Sequence, residues 1–86
     1  MDEEMEKGVQ PLDALMTRLN VTNQNLVERS TEQLTFKVVS KGRKGRRITR
    51  NAQSKILNAL NIWNSLFGPE PGKVFVLADL FNYSSK

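Results

Sequence analysis

The side chains that most often carry chemistry are missing from this 86-residue chain, which has no Cys and no His. Thiolate nucleophiles, zinc-thiolate sites, disulfides and imidazole proton shuttles are therefore excluded. Asp13, Glu28, Glu32 and Asp79 make no recognisable acid/base or metal-ligand spacing. Gly42 and Gly45 stand too close together, with no Lys-Ser/Thr pair after them, for a phosphate-binding Walker loop. No enzyme, cofactor or small-molecule substrate is expected. What remains is cationic. Between Gln33 and Pro69 there is no Asp or Glu, while Lys37, Lys41, Arg43, Lys44, Arg46, Arg47, Arg50 and Lys55 give that stretch a charge of +8. Such a block repels itself unless an anion is near, and the commonest anion of the right shape is a nucleic-acid backbone. A solvated basic face, or a patch for anionic lipid or an acidic protein, is the plainer alternative.

A chain of this length makes one small domain with a thin core. With 38% hydrophobic and 26% charged residues it has the composition of a folded protein rather than a disordered tail. No apolar run approaches the roughly 20 residues of a membrane span, and the acidic start Met1-Asp2-Glu3-Glu4 lacks the features of a signal peptide. A cytoplasmic protein is expected, associated with the nucleoid if its partner is DNA.

The elements that must position the basic residues follow from periodicity and caps. Residues 1–10 read as a flexible acidic leader, carrying four of the nine acids in the first six positions. Pro11 opens a first helix, with Leu12, Leu15, Met16 and Leu19 on one face, ending near Asn20. Thr22 caps a second helix over about Asn23–Arg29, with Val21 and Leu26 in the positions of a hydrophobic staple. A third helix buries Leu34, Val38 and Val39. Ser30 with Gln33 fits a capping box and an early start, whereas Leu34 before Thr35, with Val39 beyond, fits a staple and a later start, which is preferred. The helix should stop at Gly42, leaving Gly42–Arg47 as a basic loop. Thr49 caps a fourth and longest helix, in which Ala52, Ile56, Ala59, Leu60, Trp63 and Phe67 recur at helical spacing before Gly68-Pro69 ends it. Its other face, Ser54, Asn58, Asn61 and Ser65, is uncharged and is either a partner surface or solvated. Residues 69–86 follow as a C-terminal arm, in which Lys73–Leu77 has strand character, lying on the helices or pairing with its copy in a homodimer.

Three short helices, the third basic, and a longer one after a basic loop is the order of a helix-turn-helix domain. Thr22-Asn23-Gln24-Asn25-Leu26-Val27 resembles the Ser-Gln-x-x-Leu-Ala start of helix two in the phage-repressor-like (XRE) family. Val39 falls where that family buries Ile or Val, and Gly45-Arg46-Arg47-Ile48-Thr49 is similar to its Gly-Lys-Arg-x-Pro loop. The resemblance covers about residues 12–67. Val27 replaces the family's small Ala, Thr31 replaces its turn Gly with a lengthening of about two residues, and Arg43 replaces an acid near the end of its third helix. The resemblance implies an all-α helix-turn-helix bundle over residues 11–68, acting as a bacterial or phage transcriptional regulator by occupying an operator in double-stranded DNA. Carried over by position, Thr35, Phe36, Lys37, Ser40 and Lys41 would read bases. Thr22, Gln24, Arg43, Lys44, Arg46, Arg47 and Arg50 would hold phosphates. Phe36 fits a thymine-methyl contact or the core equally well.

Two other classes compete. Gly42-Arg43-Lys44-Gly45 is similar to the Gly-x-x-Gly loop of the KH RNA-binding domain, whose fold needs a three-stranded sheet where this chain offers one run with strand character. A protein-interaction adaptor on a repressor-like scaffold would use the Asn/Ser face of the fourth helix.

Overall fold

The computed structural model describes residues 10–81. They form α1 (Pro11–Leu19), α2 (Asn23–Arg29), α3 (Phe36–Arg43), α4 (Arg50–Phe67) and α5 (Leu77–Leu80), with no strand among the described residues. The fold is all-α, as its periodicity requires.

Each helix begins and ends where local chemistry dictates. Gln10, assigned by composition to the leader, instead belongs to the fold. It is buried and its carbonyl accepts from the Asp13 N–H at 2.9 Å. α1 ends on Asn20, which takes a left-handed φ of 64°. The Val21 N–H then reaches the Met16 carbonyl at 2.9 Å and the Asn20 N–H reaches Thr17 at 3.1 Å, a Schellman closure whose apolar partners, Met16 and Val21, are both in the core. One residue later, Thr22 caps α2 reciprocally with Asn25. The Thr22 Oγ1 accepts from the Asn25 N–H at 3.1 Å, and the Thr22 N–H donates to the Asn25 Oδ1 at 2.9 Å.

α3 adopts the later of its two possible starts. Thr35 Oγ1 accepts from the Val38 N–H at 3.2 Å, and Leu34 and Val39 are both buried as the staple requires. Ser30 instead shapes the α2–α3 turn, its hydroxyl accepting from the Glu32 N–H at 3.0 Å and donating to the Glu32 carbonyl at 2.7 Å. The end of α3 differs from expectation by a residue, because Gly42 lies inside the helix and Gly45, at φ 93°, terminates it. The Arg46 N–H donates to the Lys41 carbonyl at 3.0 Å and the Gly45 N–H to Gly42 at 3.4 Å, a second Schellman closure. Thr49 Oγ1 caps α4 through the Ala52 N–H at 3.1 Å.

α4 packs on α2, α3 and α5, and α1 on α3 and α5. Their shared core holds Leu12, Leu15, Met16, Val21, Leu26, Leu34, Val39, Ile56, Ala59 and Leu60, with Phe75, Leu80 and Phe81 from the C-terminal segment. Val38, Trp63 and Leu19 pack at its margin. Phe67 departs from expectation. It is 59% exposed, beside Trp63 and under the guanidinium of Arg29, the last residue of α2. Helical spacing set Phe67 on the core stripe, but the packing beneath it ends with α2.

Within the single chain, residues 73–76 lie on the helices as an arm. Lys73–Val76 forms no strand, and Leu77 begins α5. The arm is held by the polar face of α4. Asn61 Nδ2 donates to the Phe75 carbonyl at 3.1 Å while its Oδ1 accepts the Phe75 N–H at 2.8 Å, so one side-chain amide does the work of a neighbouring strand. Buried Asn64 donates to the carbonyls of Glu70 at 3.0 Å and Lys73 at 3.2 Å. A Cβ at Gly68 would collide with that Asn64 amide, so Gly is required there. Tyr83 lies outside the described residues. None of the described helices is long and apolar enough to cross a membrane.

Replacing Asn61 with Ala leaves the Phe75 N–H and C=O unbonded beside the core and should cost about 1–3 kcal/mol. Urea unfolding followed by circular dichroism checks this, and a loss below about 0.5 kcal/mol would show that the arm is held by its apolar side chains alone.

Candidate nucleic-acid interface

α3 is short enough that its sequence sorts into two faces. Val39, Gly42 and Arg43, spaced at i, i+3 and i+4, turn toward the body of the protein. Gly42 faces a tight site in which an added Cβ would lie 3.4 Å from Ile48, Ile56 and Phe81. The other face carries Phe36, Lys37, Ser40, Lys41 and Lys44. Together with Arg46 these residues line an open cleft of about 570 Å³. Four of its six lining residues are cationic and none is acidic. An apolar ring, a hydroxyl, three ammonium groups and one guanidinium thus meet on one surface, the polar groups able to donate to anionic oxygens and to base edges.

The structure brings six of the twelve residues singled out by sequence into the lining of one cleft. Phe36 is not in the core. It is 56% exposed and forms part of the cleft lining. Lys37 is exposed, and Ser40 and Lys41 are half-buried in the same lining. Thr35 sits one residue before Phe36 as the α3 cap, with its hydroxyl oxygen accepting from Val38 and its proton still able to donate. Lys44 and Arg46 continue the basic surface past the helix end, and exposed Arg47 and Arg50 extend it along the connection to α4, outside the cleft lining. Thr22 and Gln24 lie on the first turn of α2. Thr22 is engaged as a cap, and Gln24 Nε2 donates to Glu28 Oε2 at 3.1 Å.

Arg43 stands apart from this surface. Its Nε donates to Asp13 Oδ1 at 2.7 Å, its Nη1 to Asn23 Oδ1 at 2.8 Å and its Nη2 to Thr17 Oγ1 at 3.4 Å. One planar fork therefore ties the last residue of α3 to α1 and to the start of α2. The guanidinium is engaged within the fold and its role is positional. Lys55 is likewise turned to structure, donating from Nζ to the Gln33 carbonyl in the α2–α3 turn at 3.2 Å.

Asp13, Thr17 and Asn23 were not identified as partners by sequence reasoning. A signal existed. Arg43 lies four residues after buried Val39 and so on the inward stripe, where a cation requires an acid or amide partner. The Asn/Ser face of α4 also resolves differently from expectation, because Asn61 is occupied by the arm and Ser65 Oγ by the Ile62 carbonyl at 2.9 Å. Comparisons with protein-family models, with curated proteins and with solved structures give no match.

Replacing Arg43 with Ala should lower stability by roughly 1–3 kcal/mol in urea unfolding, because three hydrogen bonds between helices are lost. Replacing the neighbouring Lys44 with Ala should change it by less than about 0.5 kcal/mol. Equal effects of the two substitutions would contradict the division of α3 into a structural and a presented face.

Proposed function

We propose that this protein binds double-stranded DNA in a sequence-dependent way by laying the exposed face of α3 in the major groove, and that it regulates transcription by occupying an operator. The observation that carries this reading is the cleft, in which Phe36, Lys37, Ser40, Lys41, Lys44 and Arg46 converge without an acidic residue. In this reading Thr35, Phe36, Lys37, Ser40 and Lys41 meet base edges, and Lys44, Arg46, Arg47 and Arg50 meet the sugar-phosphate backbone. The N-terminal turn of α2, with Thr22 and Gln24, approaches phosphate through its unbonded N–H groups. The order of helices and the α2–α3 turn support a helix-turn-helix similar to the phage-repressor-like family, with residues 30–35 forming a longer turn than that motif ordinarily has. The protein then acts as a bacterial or phage regulator at the nucleoid.

A homodimer belongs to the same reading, since paired half-sites multiply the contacts of so small a domain. The C-terminal arm offers Val74 and Val76, 72% and 55% exposed, on either side of buried Phe75. The bonds from Asn61 to Phe75, and from Asp79 Oδ2 to the Val76 N–H at 3.0 Å, leave side chains rather than a backbone edge for that contact. The KH-like alternative lacks support, because Gly42–Gly45 closes a helix and the described residues contain no sheet.

Fluorescence anisotropy against random duplexes and single-stranded RNA, at low and physiological salt, tests the proposal. Steeply salt-dependent duplex binding is expected. Preference for RNA, or binding to neither, refutes it. Two kinds of variant then separate the roles. Replacing Arg46 and Arg47 with Ala should weaken binding to all duplexes alike and reduce the salt slope by about one unit for each lost phosphate contact. Replacing Lys37 or Ser40 with Ala should change the preferred sequence in a selection from random duplexes, by roughly 1–3 kcal/mol at the affected base pair. A uniform loss across sequences in the second case would remove α3 from base reading.

A further inference from the structure

The described residues have little acid to set against the basic cleft. Among the described residues the acids are Asp13, Glu28, Glu32, Glu70 and Asp79. Asp13 is bound to Arg43, Glu28 accepts from Gln24, and Asp79 caps α5 through the Val76 N–H. Glu32 and Glu70 lie in turns that do not line the cleft. Four more acids, Asp2, Glu3, Glu4 and Glu6, are concentrated in residues 1–9, where Lys7 is the sole cation. The point from which that segment departs is fixed. Gln10 is 1% exposed, and its backbone N–H donates to the carbonyl of Arg43 at 3.4 Å, at the end of α3. Lys44 is the next residue, and Lys41 and Arg46 lie within a turn of it, so the acidic segment is tethered at the mouth of the cleft.

We propose that residues 1–9 serve as an intramolecular ligand of the cleft, with the carboxylates of Asp2, Glu3, Glu4 and Glu6 docking on Lys37, Lys41, Lys44 and Arg46 where nucleic-acid phosphates would otherwise lie. The inference rests on the function proposed above for the consequence of docking, though not for docking itself. Nine residues reach at most about 30 Å when extended, comparable with the 39 × 23 × 19 Å dimensions of the molecule. The whole cleft is therefore within range, and a tether this short holds the carboxylates at an effective concentration of the order of millimolar. Four carboxylates carry less charge than the regularly spaced phosphates of a duplex and match a row of cations less well. Displacement lowers the apparent affinity for every duplex by the same factor, so a tight site stays occupied at protein concentrations that leave a weak one empty.

Two measurements test this on the full chain, comparing it with the variant D2N/E3Q/E4Q/E6Q. The first is made without nucleic acid. Backbone amide spectra of the two proteins at low salt should differ at residues 36–47 and converge at high salt, whereas differences confined to residues adjoining the substitutions overturn the docking. The second is duplex binding, where the variant should bind random DNA roughly three- to tenfold more tightly at low salt, with the gap closing as salt rises. A control, E32Q/E70Q, removes two acids that do not line the cleft. If it tightens binding as much per charge, the effect is one of net charge and the competition is refuted. If neither protein binds a duplex, the proposed function fails, and the amide comparison still decides whether the segment occupies the cleft.

Discussion

The guanidinium of Arg43 is the point at which α1, α2 and α3 are held in one arrangement. A helix of eight residues gains little stability from its own hydrogen bonds, so its orientation must come from side chains that reach its neighbours. Val39 supplies an apolar anchor and Gly42 allows close approach, but neither fixes rotation about the helix axis. The fork formed by Arg43 with Asp13, Asn23 and Thr17 does so, because it is planar and directional. Once that face is turned inward, Phe36, Lys37, Ser40, Lys41 and Lys44 have only the outward side left to them. The basic cleft is a consequence of the clamp.

The helical scaffold was largely legible in the sequence, and the reason lies in its caps. Thr22, Thr35 and Thr49 each stand before an apolar-periodic run, and each accepts the backbone N–H three residues on. The competition between Ser30 and Thr35 for the start of α3 was decided by the staple of Leu34 and Val39, a signal that couples the cap to the core. What the sequence left hidden depends on tertiary partners. Gly42 read as a helix end because two glycines stand close together, yet only Gly45 takes the positive φ that stops the helix. Asn61 read as surface because its role depends on Phe75, remote in sequence. Phe67 read as core because periodicity cannot tell where a neighbouring helix ends.

The candidate site divides along the same line. Clustering of Lys37, Lys41, Lys44 and Arg46 follows from the helical period and was visible at once. Separating Arg43 and Lys55 from that cluster required knowing which acids and carbonyls face them. Charge counting therefore grouped Arg43 and Lys55, which are engaged within the fold, with the cations that line the cleft. In the DNA-binding reading proposed above, the charge of this surface would govern encounter and its short-range donors would govern choice of sequence.

The most direct measurement of the central claim is amide chemical-shift mapping during titration with a DNA duplex at physiological salt. The account predicts that perturbations concentrate on residues 35–47, with smaller ones at the first turns of α2 and α4 and none at the Asn61–Phe75 junction. Perturbations centred on the C-terminal arm, or on the exposed Leu66 and Phe67 at the end of α4, would contradict the assignment of the α3 cleft as the DNA-binding face.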